Sequence, residues 1–427
     1  MIKKLRSLWR DSRGNTLAIA AACLPMIIGC AGLASDTIQW TLWKRQLQRA
    51  ADSAAIAGVY DRENASGATT NTSTAVSRDL ALNQHTWMSL LSGYPQLSYP
   101  ANTTYETNQV TVTLAIQQSL PFSSLFMSSA PVITATATAA SVPAAGDACI
   151  ESLDSSATST GISNSGNTTI NAPTCILYSN STSSNSASAG GSSLVTAQAI
   201  AAVGGIQQSS NWVVQQYIPY SPPLADPFAN VTPDPTQMNC TSATLSNNTN
   251  WNSLGNINCF SGLSLQPNKT INVPNNFGPI YINGGSVDLK GTFNCTGCTI
   301  VLTNTSTASN ATIGSFTSNA SANNNITAPT TGTYAGIAVY QDRRSTGNTD
   351  KINGGSNNVI QGAVYFPSDT LQVNGTGTGV ALCSMFIAKD IVFTGNSSIA
   401  INSPDDTVCS GSGEPSNGAV KMVRLVA

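Results

Sequence analysis

The chain has 427 residues, only 9% of them charged, with a formal net charge of -2. That balance excludes a nucleic-acid partner, because binding phosphate backbones needs clustered Lys and Arg. The length suggests more than one domain. Beyond Gly146 charge is scarce and Ser, Thr, Asn and Gly dominate. Val, Ile, Leu and Phe recur through that stretch, as a disordered polar tract would not have them, so the composition suits a β-rich exported protein with many tight turns.

Lys3, Lys4, Arg6, Arg10 and Arg13 form a basic tip. No charge follows from Gly14 to Ser35. As a helix at ~1.5 Å per residue this stretch reaches roughly 33 Å, enough for a ~30 Å hydrocarbon core. The positive-inside rule places the N-terminus in the cytoplasm and the rest outside; the expectation is a single-pass protein of a bacterial inner membrane with its bulk in the periplasm. The stretch exceeds a usual signal-peptide core and its pattern runs on as helix, so a retained anchor is expected rather than a cleaved signal. Pro25 is expected to kink or loosen the span.

Trp40, Trp43, Leu47, Ala50, Ala54 and Ala57 recur at spacings of three and four and share one helical face. Its small residues permit close approach. Two readings follow: the face packs on its own domain, or it is an assembly interface with partner subunits. Trp40 and Trp43 also suit an aromatic belt at the outer membrane surface.

Several strings carry a resemblance. They are Arg13-Gly14-Asn15, the apolar run with Leu24-Pro25, Gly32-Leu33-Ala34-Ser35-Asp36, and Lys44-Arg45-Gln46-Leu47-Gln48-Arg49-Ala50-Ala51-Asp52-Ser53-Ala54-Ala55. Together they resemble the TadG-like and TadE-like proteins of Flp (tight-adherence) pilus assembly, over about 60 residues of the 427. The ending Val423-Arg424-Leu425-Val426 resembles the same group. The resemblance implies a structural role in building or anchoring a surface pilus, with other assembly subunits as partners of the N-terminal helix; the lack of a Gly-x-Ser-x-Gly or phosphate-loop motif points away from an enzyme. Two departures stand out. Pilin-type precursors carry Glu five residues after the cleaved Gly, whereas Ile19 stands there, which speaks against processing at Gly14. Some TadG-like proteins carry a metal site of the form D-x-S-x-S. Asp154-Ser155-Ser156-Ala157-Thr158 fits it loosely, but a turn-rich segment follows where a helix is needed.

Further along, Ser77 to Leu91 reads as a short helix ended by Gly93 and Pro95. Gln109–Ile116 and Val132–Ala139 alternate with period two and read as strands with one buried face. The layout is a small pilin-like α+β region. After a linker at Pro143–Gly146 come weak repeats. Gly166-Asn167-Thr168-Thr169-Ile170 recurs as Gly395-Asn396-Ser397-Ser398-Ile399, and Ile282-Asn283-Gly284-Gly285-Ser286 as Ile352-Asn353-Gly354-Gly355-Ser356. They suggest stacked rungs of a β-helix or solenoid, with a β-sandwich as the alternative. The expected fold is therefore mainly β with an N-terminal transmembrane α-helix. The expected boundaries are 1–60 for tip, span and helical extension, 61–146 for the α+β region, 147–412 for the β-helix-like domain and 413–427 for a tail.

Cys149, Cys175, Cys240, Cys259, Cys295, Cys298, Cys383 and Cys409 all lie in the exported part and read as disulfides of an oxidising compartment. Neighbour pairing is simplest for Cys149–Cys175 and Cys383–Cys409; the order among the middle four stays open. The Cys295–Cys298 pair has no second such motif and no nearby His, so a disulfide is expected rather than a metal. No cofactor is expected. Asp342-Arg343-Arg344 and Asp405-Asp406 are the best catalytic candidates, for a carbohydrate-active β-helix enzyme. Asp405 and Asp406 are adjacent, so on a strand they would point to opposite faces and not converge; following Pro404, the stretch reads as a turn instead, and His85 is the lone histidine. A periplasmic or surface binding and adhesion module, for glycans for instance, is the other alternative; Trp212, Tyr217, Tyr220 and Phe228 are its candidate groove, or a plug over the core.

Overall fold

The computed structural model describes residues 15–83, 88–144, 146–354, 358–375, 382–396, 398–403, 409 and 420–426, with the side chains of 15–18, 354, 375 and 382 left aside. It is mainly β with one long N-terminal apolar helix. The chain divides into two units, Met1–Val142 with Val423–Ala427, and Pro143–Met422.

In the first unit, helix α1 (Asn15–Asn64) continues through Pro25 as one element. It ends in a turn where Ser66 and Gly67 have positive φ, and the Gly67 N–H bonds the Arg62 carbonyl at 2.7 Å. Helix α2 (Thr72–Asn83) packs beside it through Val76 and Leu80, one turn apart on its buried face. The helix expected over Ser77–Leu91 is therefore displaced toward the N-terminus. Leu90 instead bridges Ile116 in antiparallel fashion, and Met88 is buried, so this stretch serves the sheet. His85 and Trp87 lie outside the described residues.

The sheet of this unit has strands β1 (Gln96–Ser98), β2 (Thr107–Gln117), β3 (Val132–Pro143) and the C-terminal strand Lys421–Leu425, in that order. In β2 and β3, Val112 faces Ala137, Leu114 faces Ala135 and Ile116 faces Ile133. These side chains point at α1 and are buried with Leu47, Ala50, Ala51, Ala54, Ala55 and Val59. The other face carries threonines, whose hydroxyls pair across the strands: Thr111 with Thr138 at 2.9 Å, Thr113 with Thr136 at 3.1 Å. Alternation with period two thus sorts apolar from hydroxyl side chains.

The second unit holds a sheet of 21 strands whose pairings, among the described residues, are parallel. Partners line up in long registers. Ile280, Ile300, Val339, Val364, Phe386, Ile150, Leu177 and Ile200 follow one another as successive pairing partners, and all are buried in one interior cluster. Long strands bend past several neighbours: Val359–Gly375 pairs with three different strands before it along its length. The order of stacking is not the order of the chain. Strands from Asp147–Ser152 to Trp212–Ile218 are laid down first; those from Thr244–Leu245 onward come later, and Leu382–Thr394 then pairs with Asp147–Ser152. Ile387 therefore lies beside Glu151.

The first sequence repeat marks neighbouring turns. Ile170 pairs with Ile399, the Asn167 N–H bonds the Gly395 carbonyl at 2.8 Å, and the Asn167 amide donates to the Asn396 oxygen at 2.6 Å. Gly395, Gly166 and Gly191 all have positive φ here, and a Cβ on Gly166 would press on the Gly395 carbonyl. Only glycine satisfies both the conformation and the approach. The second repeat does not coincide in space in this way: Ile282 pairs with Leu302 and Ile352 with Ser318. Asparagine also bonds to asparagine between paired strands, Asn294 to Asn272 at 2.8 Å and Asn374 to Asn353 at 3.0 Å. This gives the Asn-rich composition a structural use.

Candidate assembly element and the surfaces of the two units

The upper part of α1 is fixed to its sheet by the residues that carry the resemblance. Leu47, Ala50 and Ala54 are buried against β2 and β3, Trp43 packs at the edge of that core, and Ala57 is half-buried. Of the two readings of this face, the structure has it packing on the chain's own unit. Small side chains let helix and sheet meet closely; a Cβ on Gly58 would stand 2.9 Å from Val110. Lys44 donates to the Thr134 carbonyl and Gln48 to that of Thr136 at 2.9 Å, covering backbone acceptors of β3. Arg62 reaches the Gln109 carbonyl at 2.7 Å.

The lower part is different. From Ile19 to Leu42 the large side chains Leu24, Met26, Ile27, Ile28, Leu33, Ile38 and Leu42 are exposed, and Trp40 is 40% exposed. These 24 residues span about 36 Å as a helix, enough to cross a bilayer core. One helix among the described residues meets that length and composition. Asp36 lies within this run, yet it is only 3% exposed. Its carboxylate accepts the backbone N–H of Phe122 at 3.0 Å, and the N–H and hydroxyl of Ser123, all from the β2–β3 loop. One turn below, Gly32 makes room for the Phe122 ring, which a Cβ there would overlap. Asp36, Gly32, Lys44 and Gln48 carry no local pattern that marks these duties. The only signal for them was their place in the family-like strings.

In the second unit the eight cysteines form four disulfides: Cys149–Cys175, Cys240–Cys259, Cys295–Cys298 and Cys383–Cys409. The middle four, open in sequence, thus pair as neighbours, and Cys295–Cys298 closes over the turn at Gly297. The Asp154 carboxylate accepts the Ser156 N–H at 2.7 Å, making a local turn, and the strand Ile162–Asn164 follows where a metal site of that form needs a helix.

The triplet Asp342-Arg343-Arg344 is engaged within the unit. Asp342 pairs with Arg344 at 2.6 Å and accepts from the Thr303 hydroxyl at 2.7 Å. Burial alone raises the Asp342 carboxyl, but the Arg344 and Thr303 bonds outweigh it and hold it below the ordinary carboxylate value. Arg343 pairs with Asp226 at 2.7 Å and lies over the Tyr365 ring. Asp226 also accepts the Tyr365 hydroxyl at 2.9 Å. Asp226 belongs to the segment joining Ile218 to Thr244, which packs over a row of buried tyrosines. Phe228 meets Tyr365 edge-on at 5.3 Å, Tyr340 stacks on Tyr365, and the Tyr340 hydroxyl bonds the Val231 carbonyl at 2.7 Å. Burial raises the phenol pKa values of Tyr340 and Tyr365 above the ordinary value, so both stay neutral. Of the four aromatics considered as a groove, Phe228 is buried in this layer and Trp212 in the interior, while Tyr217 and Tyr220 are exposed. Asp405 and Asp406 lie outside the described residues.

A helix long and apolar enough to cross a membrane, leading into a mainly β, disulfide-bridged chain, defines the class among the described residues. Residues 14–63 match the family model described as putative Flp pilus-assembly TadE/G-like. That interval coincides with α1, from its start to its last turn. No curated protein and no solved structure matches the chain.

Proposed function

We propose that the chain is a membrane-anchored structural component of a Flp/Tad-type pilus-assembly system, with its N-terminus in the cytoplasm and both units in the periplasm. The observation that carries this reading is the family match over 14–63, which falls on the membrane helix and on the residues that fix it to its sheet. The four disulfides support an oxidising compartment for the second unit. The second unit is read as a β-helix-like platform rather than a sandwich; parallel pairing in long registers supports this, because sandwiches are built from antiparallel sheets. Partner subunits are expected to meet α1 along its exposed stretch Ile19–Leu42, because Leu47, Ala50 and Ala54 are occupied internally.

Two experiments test the reading. A reporter active only in the periplasm is expected to work when fused after Gly146 and to be silent after Arg10. Affinity purification of the intact protein from membranes is expected to bring down other pilus-assembly subunits. Extraction by carbonate without detergent, or purification of the chain alone under mild detergent, would count against it. A second reading, a glycan-binding module, draws on a cleft of about 430 Å3 in the second unit, where Asp234, Gln237 and Asn258 meet Tyr281 and Tyr334. Polar side chains beside aromatic rings suit a sugar. Loss of glycan retention in Tyr281→Ala would favour that reading.

A further inference from the structure

We propose that the β2–β3 loop, residues 118–131, is a second membrane contact, seated in the outer leaflet beside α1 with Leu125, Phe126 and Met127 among lipid acyl chains. The proposal rests on the membrane span of α1 and goes beyond it.

Four observations lead there. First, the loop presents three consecutive large apolar side chains to the outside: Leu125 is 74% exposed, Phe126 77% and Met127 49%. A soluble domain gains nothing from such a cluster at a loop tip. Second, the loop is docked within the apolar run of the helix. Phe122 sits at Gly32, and Asp36 holds the N–H groups of Phe122 and Ser123. From Gly32 to Leu42 the helix rises about 15 Å further. Ile38, Trp40 and Leu42 are exposed along that rise, so apolar helix surface extends beyond the point where the loop attaches.

Third, nothing charged accompanies the loop. From Thr107 to Gly146 the sequence holds no Asp, Glu, Lys or Arg. Asp36, the charge that the loop itself contacts, is turned inward and bonded. Fourth, the N–H groups of the tip are already satisfied. Six consecutive N–H groups, from Phe122 to Met127, are bonded, two to Asp36 and four within the turn around Ser123–Leu125. Irregular backbone is costly in hydrocarbon because its polar groups lack water, and internal pairing lowers that cost for these N–H groups. Exposed apolar side chains, absent charge, satisfied N–H groups and continuity with a membrane helix specify lipid as the occupant.

The test uses the full chain reconstituted into vesicles of phosphatidylethanolamine and phosphatidylglycerol, with and without bromine on the acyl chains. Phe126→Trp, or Leu125→Trp should the first not fold, adds a fluorophore at the tip. Tyr105→Trp adds one at the far end of β2, at an exposed site. Fluorescence is read as the difference from the unmodified chain. The added signal at the tip is expected to be lost in brominated vesicles and protected from aqueous acrylamide, at every protein-to-lipid ratio, whereas Tyr105→Trp behaves oppositely. Two results overturn the proposal. One is tip fluorescence quenched by acrylamide and untouched by bromine. The other is protection that disappears on dilution with lipid, which assigns the patch to a second copy of the chain. Flotation with the vesicles reports the anchor separately, so a floating chain with a water-exposed tip refutes the loop contact alone.

Discussion

The Asp36 carboxylate accepts the backbone N–H of Phe122 from a loop 86 residues further along the chain. This bond ties the β2–β3 loop to the helix at a point where the surrounding helix surface is apolar. Asp36→Ala removes the acceptor from two N–H groups and a hydroxyl. Hydrogen exchange is expected to quicken at residues 122–127 while α1 and the core of the sheet keep their protection. Unchanged exchange there would show that Gly32 and Phe122 suffice to hold the loop.

Ala54 is fully buried between α1 and the sheet. Ala54→Leu overfills that space, and overpacked cores lose about 1–3 kcal/mol. The expected result is a lower melting transition for the first unit, with the four disulfides of the second unit still formed by mass spectrometry. A normal transition combined with loss of co-purified subunits would instead return the face to a partner contact.

Gly166 has φ +77 and lies under the Gly395 carbonyl. Gly166→Ala meets a strained conformation and a close backbone neighbour together. A cost of about 1–3 kcal/mol is expected, read as a lower urea midpoint. Gly332 also has positive φ but faces open space, so Gly332→Ala is expected to cost less.

Asp350 is buried, accepts the Phe316 N–H at 2.6 Å, and pairs in register with Leu371. Burial, with Asp369 adding to it, pushes its carboxyl up to about 7 from 3.8. The sign follows from linkage. Below pH 3.8 the group is neutral whether folded or unfolded; as pH rises toward 7 the unfolded chain releases the proton and the folded chain keeps it. Stability therefore falls across that window, by at most about 1.4 kcal/mol per pH unit, and levels off above it. Asp350→Asn is expected to flatten this slope in denaturant titrations between pH 4 and 8. An identical slope in both proteins would place the pH dependence elsewhere.

The uncharged run from Gly14 to Ser35, the spacing of Leu47, Ala50 and Ala54, and the alternation in β2 and β3 were legible because each is a local pattern: a helix or strand face is written in residues three, four or two apart. The same holds for the turn glycines at 166 and 395, whose recurrence marks turns that stack. Local pattern stops short of deciding partners. Val301 is paired with Tyr281, twenty residues back, and with Tyr340, thirty-nine ahead, because a long insertion lies in between; no fixed period survives such unequal steps. Nothing near Asp36 announces that its carboxylate is bonded by Phe122 and Ser123, and nothing near Asp226 announces Arg343 and Tyr365. Sequence by itself determined the long apolar helix, the β character of the rest and which cysteines form disulfides, since these follow from composition and short-range spacing. Only the tertiary structure decided which strand lies beside which, that the alanine face closes on its own sheet, and that Asp36 turns inward, since each depends on residues the chain brings together across dozens to hundreds of positions.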